Sequence, residues 1–163
     1  MSSPLSSAAN ADGSLCEHWR VLLAESAKNV FSTMVGAEIS IPEQSDVAVT
    51  PEVTAIVGLA GDMSGVLTFR CNVKSATEIA SRMLGVPIEE AMVNQSDAVG
   101  EICNMVAGNF KAKIGKEDKC MLSVPTVITG CDYQFHSLVS GTRIEVPMIF
   151  EGEVVWLTLE ISK

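Results

Sequence analysis

Glu101 and Asn104 are polar residues three positions apart in a stretch of otherwise apolar and small residues that is predicted to be helical. At 100° per residue their side chains leave the same face of a helix, about one turn apart. A carboxylate accepts hydrogen bonds from a cation, whereas a carboxamide accepts and donates, so the pair could hold a charged group and orient a water molecule. The spacing alone is a weak signal, because glutamate is a good helix former and exposed asparagine is common.

The predicted helix that carries this pair, residues 97–114, has an apolar face and an open face. Asp97, Glu101, Asn104 and Gly108 line the open face. Glycine in a helix costs about 1 kcal/mol relative to alanine, so Gly100 and Gly108 need a reason. We interpret them as room for a partner to approach the backbone; close packing of Gly100 and Gly108 against a neighbouring strand is the alternative. The side chains expected to be buried are Val99, Ile102, Cys103, Val106, Phe110 and Ile114.

Four other polar residues of this helix have competing interpretations. Asp97 is predicted to be the N-cap, with contact to a partner as the lesser alternative. Asn109 lies nearer the buried face, which favours a structural hydrogen bond over catalysis. Lys111 and Lys113 could contact a partner, although lysines near a helix C-terminus also suit its dipole.

The composition excludes several classes of protein. A net charge of −9 over 163 residues argues against nucleic acid as a partner, because phosphate backbones need lysine and arginine. No apolar run approaches the roughly 20 residues of a membrane span, and the opening residues do not resemble a signal peptide. Five cysteines without a Cys-x-x-Cys pair, together with two histidines, offer no metal-site spacing. We therefore expect a cytoplasmic protein with reduced thiols and no metal of its own.

The remaining elements follow from periodicity and turn residues. Residues 1–14 are expected to form a disordered tail, and residues 15–163 a single domain. Ser75 and Glu78 match a capping box, and Gly36 suits a left-handed helix cap. Pro125 should break a strand at an edge or bulge. The predicted helices are 15–35, 73–84 and 97–114, and the predicted strands are a short one around 39–41, then 53–60, 66–71, 121–129, 142–150 and 153–162.

This order predicts an α+β fold, with an antiparallel β-sheet and long α-helices packed on it. The order also repeats: a long helix is followed by Ser-x-Pro, at Ser40 and again at Ser123, and then by a hairpin. The sequence leaves open whether the repeat is a structural duplication, because the two halves share little identity.

The string from Asp97 to Asn109, DAVGEICNMVAGN, resembles the signature of the CheX/CheC family of chemotaxis phosphatases. In that family a helix bears Glu-x-x-Asn followed by small residues and Gly-Asn. FSTMVG at 31–36, GDMSG at 61–65 and SVPT at 123–126 are also similar to CheX proteins in order and spacing. The resemblance implies a pseudo-duplicated CheC/CheX-like fold. Because Lys28 stands where a second site would place its asparagine, it also implies the one-site CheX arrangement.

The resemblance implies a function as well. The protein would remove phosphate from the aspartyl-phosphate of a CheY-like response regulator, in chemotaxis or another two-component system. Asn104 would orient the attacking water and Glu101 would hold a lysine of the regulator, with Asp97, Gly100, Gly108 and Lys111 as further partner contacts. The alternative is a non-catalytic module that binds a regulator or a flagellar switch component.

The resemblance also bears on cofactors and assembly. The protein would need no cofactor of its own, because the catalytic Mg²⁺ would belong to the regulator. A homodimer formed through sheet edges is expected, and the final hairpin is a candidate for that contact because it carries few edge charges.

Overall fold

The computed structural model describes residues 5–43 and 50–162, with side chains from residue 13 onwards. In this part of the chain a single six-stranded antiparallel sheet carries the helices on one face. The helices are α1 Leu5–Val30, continued by a π-helical turn Phe31–Val35, then α2 Val73–Leu84, α3 Ile88–Ala91, a 3₁₀ turn Met92–Asn94, and α4 Gln95–Lys113. The strands are β1 Val53–Gly61, β2 Gly65–Cys71, β3 Cys120–Leu122, β4 Thr126–Thr129, β5 Gly141–Phe150 and β6 Glu153–Ser162. The α+β class predicted from the sequence is confirmed.

The core lies between this sheet face and the helices, and aromatic side chains join the two layers. Phe31, in the π-helical turn that continues α1, packs edge-on against Phe150 of β5 at a ring distance of 5.2 Å and also meets Phe69 of β2 at 6.0 Å. Trp19 of α1 meets Phe110 of α4 edge-to-face at 6.1 Å. The Phe31 contacts fix the end of the first helix against the sheet, and the Trp19 contact joins the two long helices.

The strand order reveals the repeat that the sequence only suggested. The order is β3-β1-β2-β6-β5, and β4 follows β3 along the same side of β1. Ser123, between β3 and β4, pairs with Gly58 of β1, and Ser40 forms a matching bridge to Ile149 of β5. From either edge of the sheet inward, the order is therefore the same. A Ser-x-Pro segment comes first, followed by the first strand of a hairpin and then by its second strand.

The segment 130–140 crosses the other face of the sheet on its way from β4 to β5. Its residues alternate, with Tyr133 half-buried against the sheet and Leu138 almost fully exposed at 96%. The Tyr133 and Thr54 hydroxyls are hydrogen-bonded, and Thr54 is completely buried. This segment therefore covers polar side chains that point away from the helices.

Three local predictions need correction. α1 begins at Leu5 and not near residue 15, because the apolar stripe starts later than the helix, so the predicted tail contains a helical segment; residues 1–4 lie outside the described part. The predicted strand at 39–41 is reduced to the Ser40 bridge. The predicted capping box at Ser75 is wrong, because Asn72 is the N-cap of α2 and accepts a hydrogen bond from the Ser75 amide at 2.8 Å.

Candidate functional site

The α4 helix lies at the centre of the molecule with its predicted apolar face buried. The Cys103 thiol is 3.7 Å from the carbonyl oxygens of Ala55 and Leu67, on the two strands of the first hairpin. Burial raises the pKa of this thiol to about 12, so Cys103 is an uncharged packing residue. The stripe predicted from the sequence is confirmed: Val99, Ile102, Cys103, Val106 and Phe110 are buried, and Ile114 is half-buried.

The opposite face of α4 forms the α4 ridge, which we define as Asp97, Glu101, Asn104 and Gly108. Glu101 and Asp97 are exposed, while Asn104 and Gly108 are half-buried. Neither the Glu101 nor the Asn104 side chain has a hydrogen-bond or ion-pair partner among the described residues. Both polar side chains are therefore unpaired in the described part of the chain, on the helix face that their spacing predicted.

Gly100 differs from its predicted role as part of an open surface. The residue is buried, and a Cβ atom there would lie 3.1 Å from Cγ2 of Val127 and 3.5 Å from Cβ of Pro125. The glycine lets the β4 edge approach the helix, which is the alternative that the sequence left open. Its predicted direct contact with a partner is thus replaced by a packing role.

Gly108 keeps the open position that was predicted for it. A Cβ atom at this residue would meet only Cδ1 of Leu122, at 4.0 Å, which is an ordinary van der Waals contact. Packing therefore does not require glycine here, and the bare backbone at the end of the ridge remains available to a partner.

The lysines of α4 are engaged within the chain. Lys111 donates hydrogen bonds to the carbonyl oxygens of Glu117 at 3.0 Å and Cys120 at 2.9 Å, which ties down the connection to β3. Lys113 lies 3.6 Å from the Glu25 carboxylate of α1. Lys111 therefore has an intramolecular role, and its contact with a partner stays a prediction.

Two further predictions for α4 are wrong. Asp97 is not the N-cap, because the helix begins at Gln95 and follows Asn94 of the 3₁₀ turn directly. Asp97 lies in the first turn, where a carboxylate suits the helix dipole. Asn109 is half-buried, and its side chain makes no hydrogen bond to any residue that the structure describes.

A short bulge, residues 123–125, stands beside the α4 ridge, and the sequence analysis did not assign it a functional role. It separates β3 from β4, and both of these strands pair with β1. Val124 at its tip is 85% exposed. The signal that could have pointed to it is Pro125 within a predicted strand, because bulges are frequent next to active sites.

The free charges of the ridge are both negative. Asp97 and Glu101 are unpaired among the described residues, while the nearby lysines are occupied as described above. No cluster of histidine, cysteine, aspartate and glutamate able to hold a metal ion occurs in the described part of the chain. The ridge therefore suits a partner that presents a cation.

The family model "Chemotaxis phosphatase CheX" matches residues 53–149, a range that includes the whole of α4 and the hairpin on which it packs. The chain belongs to this family. No curated protein sequence matches it. No helix of the described residues is long and apolar enough to span a membrane.

Solved structures that contain chemotaxis proteins share the fold. The chemotaxis protein CheX from Vibrio vulnificus has a TM-score of 0.74 at 23% identity, covering 89% of this chain and 99% of that one. A putative chemotaxis protein from Desulfovibrio vulgaris Hildenborough has a TM-score of 0.77 at 21% identity, covering 89% and 97%. The CheX-CheY-BeF₃-Mg²⁺ complex from Borrelia burgdorferi has a TM-score of 0.73 at 21% identity, covering 89% and 98%.

Proposed function

We propose that this protein is a phosphatase that removes phosphate from the aspartyl-phosphate of a CheY-like response regulator. The observation that carries the proposal is the free pair of Glu101 and Asn104 on the α4 ridge of a chain that belongs to the CheX family. The surface around the pair suits docking of a folded protein, because Glu101 is exposed and Asn104 is only half-buried.

The proposed reaction needs little covalent chemistry from this protein. An acyl phosphate is already activated, so hydrolysis depends on a water molecule held in line with the bond that breaks. The water oxygen forms a bond to phosphorus, the bond from phosphorus to the aspartyl oxygen breaks, and inorganic phosphate and the aspartate carboxylate result. Asn104 would accept a hydrogen bond from this water through its amide oxygen.

Glu101 would set the register of the complex. An ionised carboxylate accepts hydrogen bonds only, so it suits a lysine of the regulator. Asp97 lies on the same ridge and would add to the attraction, while Gly108 would let the partner approach the helix backbone. The Mg²⁺ of the reaction would be bound by the regulator.

A non-catalytic binding module is the second candidate, because the same free ridge would also serve docking without hydrolysis. The discriminating experiment mixes the purified protein with a phosphorylated CheY-like regulator from the same organism and Mg²⁺, and follows the loss of phosphate. We expect acceleration over the regulator's own rate. Complex formation without acceleration would overturn the phosphatase assignment and support the binding module.

Two wider properties belong to the same proposal. A protein that acts on a response regulator would work in the cytoplasm, as the sequence analysis expects. A homodimer also remains part of the proposal, with the outer edge of β5 as the surface for its contact.

A further inference from the structure

The bulge 123–125 is held rigidly against β1. The Ser123 amide donates to the Gly58 carbonyl at 2.9 Å, and the Gly58 amide donates to the Ser123 hydroxyl oxygen at 2.8 Å. The Ser123 side chain thus replaces a main-chain partner in the ladder. With Pro125 following, which has no amide hydrogen to donate, the chain is forced outward and Val124 is held in solvent.

The contacts of Gly100 with Pro125 and of Gly108 with Leu122 place Val124 near the level of Asn104. The segment 122–125 runs alongside residues 108–100 of α4 in the opposite direction, as the two glycine contacts show. Eight helical residues advance about 12 Å, and three strand residues advance about 10 Å. The middle of the bulge therefore faces the middle of this helical segment, where Asn104 projects toward the same side.

Two apolar side chains beside this part of α4 are not buried by the described chain. Val124 is 85% exposed, and Met121, at the start of the same edge, is 72% exposed. Single exposed apolar residues are common, so exposure alone is not informative. The rigid attachment of Val124 and its position beside a free carboxamide are the observations that distinguish it.

We propose that Val124 is a docking contact for the same response regulator, packing against an apolar patch that borders the regulator's phosphorylation site. This inference rests on the proposed function. Packing at Val124 would remove its apolar side chain from water without contact to the reacting atoms. Val124 would therefore contribute mainly to affinity, while Asn104 contributes to the rate.

The charge of the ridge favours a regulator over a second copy of this chain. A twofold contact through this surface would bring the unpaired Asp97 and Glu101 of both copies together, and like charges that meet at an interface oppose binding. A regulator that presents a lysine would instead complement both carboxylates. The occupant is thus expected to carry an apolar patch next to a cation.

The test compares Val124→Ser with Leu138→Ser as its matched control. Leu138 is also an exposed apolar residue, at 96%, but it lies on segment 130–140, over the face of the sheet that carries no helices. Binding is measured with the regulator loaded with beryllofluoride and Mg²⁺, and turnover with the phosphorylated regulator. Loss of one buried apolar side chain should weaken binding about fivefold to tenfold for Val124→Ser, with the saturated rate within about twofold of wild type. Leu138→Ser should behave as wild type in both measurements.

Equal affinities for the wild type and Val124→Ser would overturn the inference. A dimer that dissociates in Val124→Ser while regulator binding is unchanged would also overturn it and would assign the surface to a second copy. Failure of the proposed function looks different: the wild type would bind the loaded regulator without accelerating phosphate loss, and Val124→Ser would still weaken that binding.

Discussion

Glu101 and Asn104 divide the proposed work because their side chains differ in charge and hydrogen bonding. Glu101 is exposed and ionisable, so its effect is expected on the encounter and on the stability of the complex. Asn104 is half-buried and neutral, so it can enter a partner's site without the desolvation cost of a charge. Substitution of Glu101 should therefore change the half-saturation concentration, whereas substitution of Asn104 should change the saturated rate.

Replacing Glu101 with glutamine keeps the size of the side chain and removes its charge. A hydrogen bond to a charged group contributes about 1.5–3 kcal/mol, so the half-saturation concentration for the regulator should rise roughly tenfold to a hundredfold while the saturated rate changes little. The matched control is Glu38→Gln, because Glu38 is also exposed but lies in the first half of the chain. Steady-state kinetics at several salt concentrations provide the measurement. An unchanged half-saturation concentration in Glu101→Gln would exclude the proposed lysine contact.

The spacing of residues predicted which side chains of α4 are buried and which are free. The prediction that Asp97 is the N-cap was wrong, because the 3₁₀ turn Met92–Asn94 leads into the helix, which begins two residues before Asp97. The spacing also could not reveal the hydrogen bonds of Lys111, since their acceptors, Glu117 and Cys120, lie beyond the end of the helix. A helical wheel describes only the helix and says nothing about such neighbours.

At the scale of elements, the position of α4 depends on the edge formed by β3 and β4. The sequence predicted the helix and the broken strand but not that they lie side by side, because their contact is set by pairing of both strands with β1. The two glycines that seemed equivalent in the sequence therefore have different roles. Gly100 is enclosed by this edge, and Gly108 is not.

Alanine substitutions at these two glycines should have opposite effects on stability. Gly108→Ala should raise the free energy of unfolding by about 0.5–1 kcal/mol, because alanine is the better helix former and the new Cβ meets only Leu122 at 4.0 Å. Gly100→Ala should lower it, because overpacking against Val127 costs typically about 1–3 kcal/mol and outweighs the helical gain. Urea unfolding of both variants measures the difference.

Regulator binding provides a second measurement on the same pair. Gly108→Ala should also raise the half-saturation concentration, because the new methyl group occupies the bare end of the ridge. A stabilised Gly100→Ala variant, or a Gly108→Ala variant with unchanged affinity, would contradict the roles assigned here.

At the scale of the whole molecule, the sheet is built as a repeat but the proposed site occurs on one side. The counterpart of α4 is α1, where Glu25 and Lys28 are both exposed and Glu25 pairs with Lys113. The weak repetition in the sequence could not establish this symmetry, because the symmetry lies in strand pairing between residues that are far apart in the chain. The fold class could be predicted because the order and type of the elements were evident locally.

The proposed homodimer can be tested at the outer edge of β5. Ile149 of this strand pairs outward with Ser40, and the Glu145 carbonyl accepts a hydrogen bond from Arg20 at 2.8 Å. Pro147 has no amide hydrogen, so alternation along the strand leaves the Glu145 and Arg143 amides as open donors on this edge. If this edge forms the dimer, the Arg143 amide should exchange slowly with deuterium in samples whose mass is that of a dimer. A dimer in which this amide exchanges quickly would place the contact elsewhere.

The central claim is that Asn104 accelerates the chemical step, and single-turnover kinetics of Asn104→Ala test it most directly. The phosphorylated regulator is mixed with increasing excess of wild-type protein or variant until the rate no longer rises, which separates binding from hydrolysis. We predict that the variant forms the complex with an affinity near that of the wild type, while its limiting rate falls by at least about 100-fold toward the regulator's own rate. A limiting rate equal to that of the wild type would contradict the account.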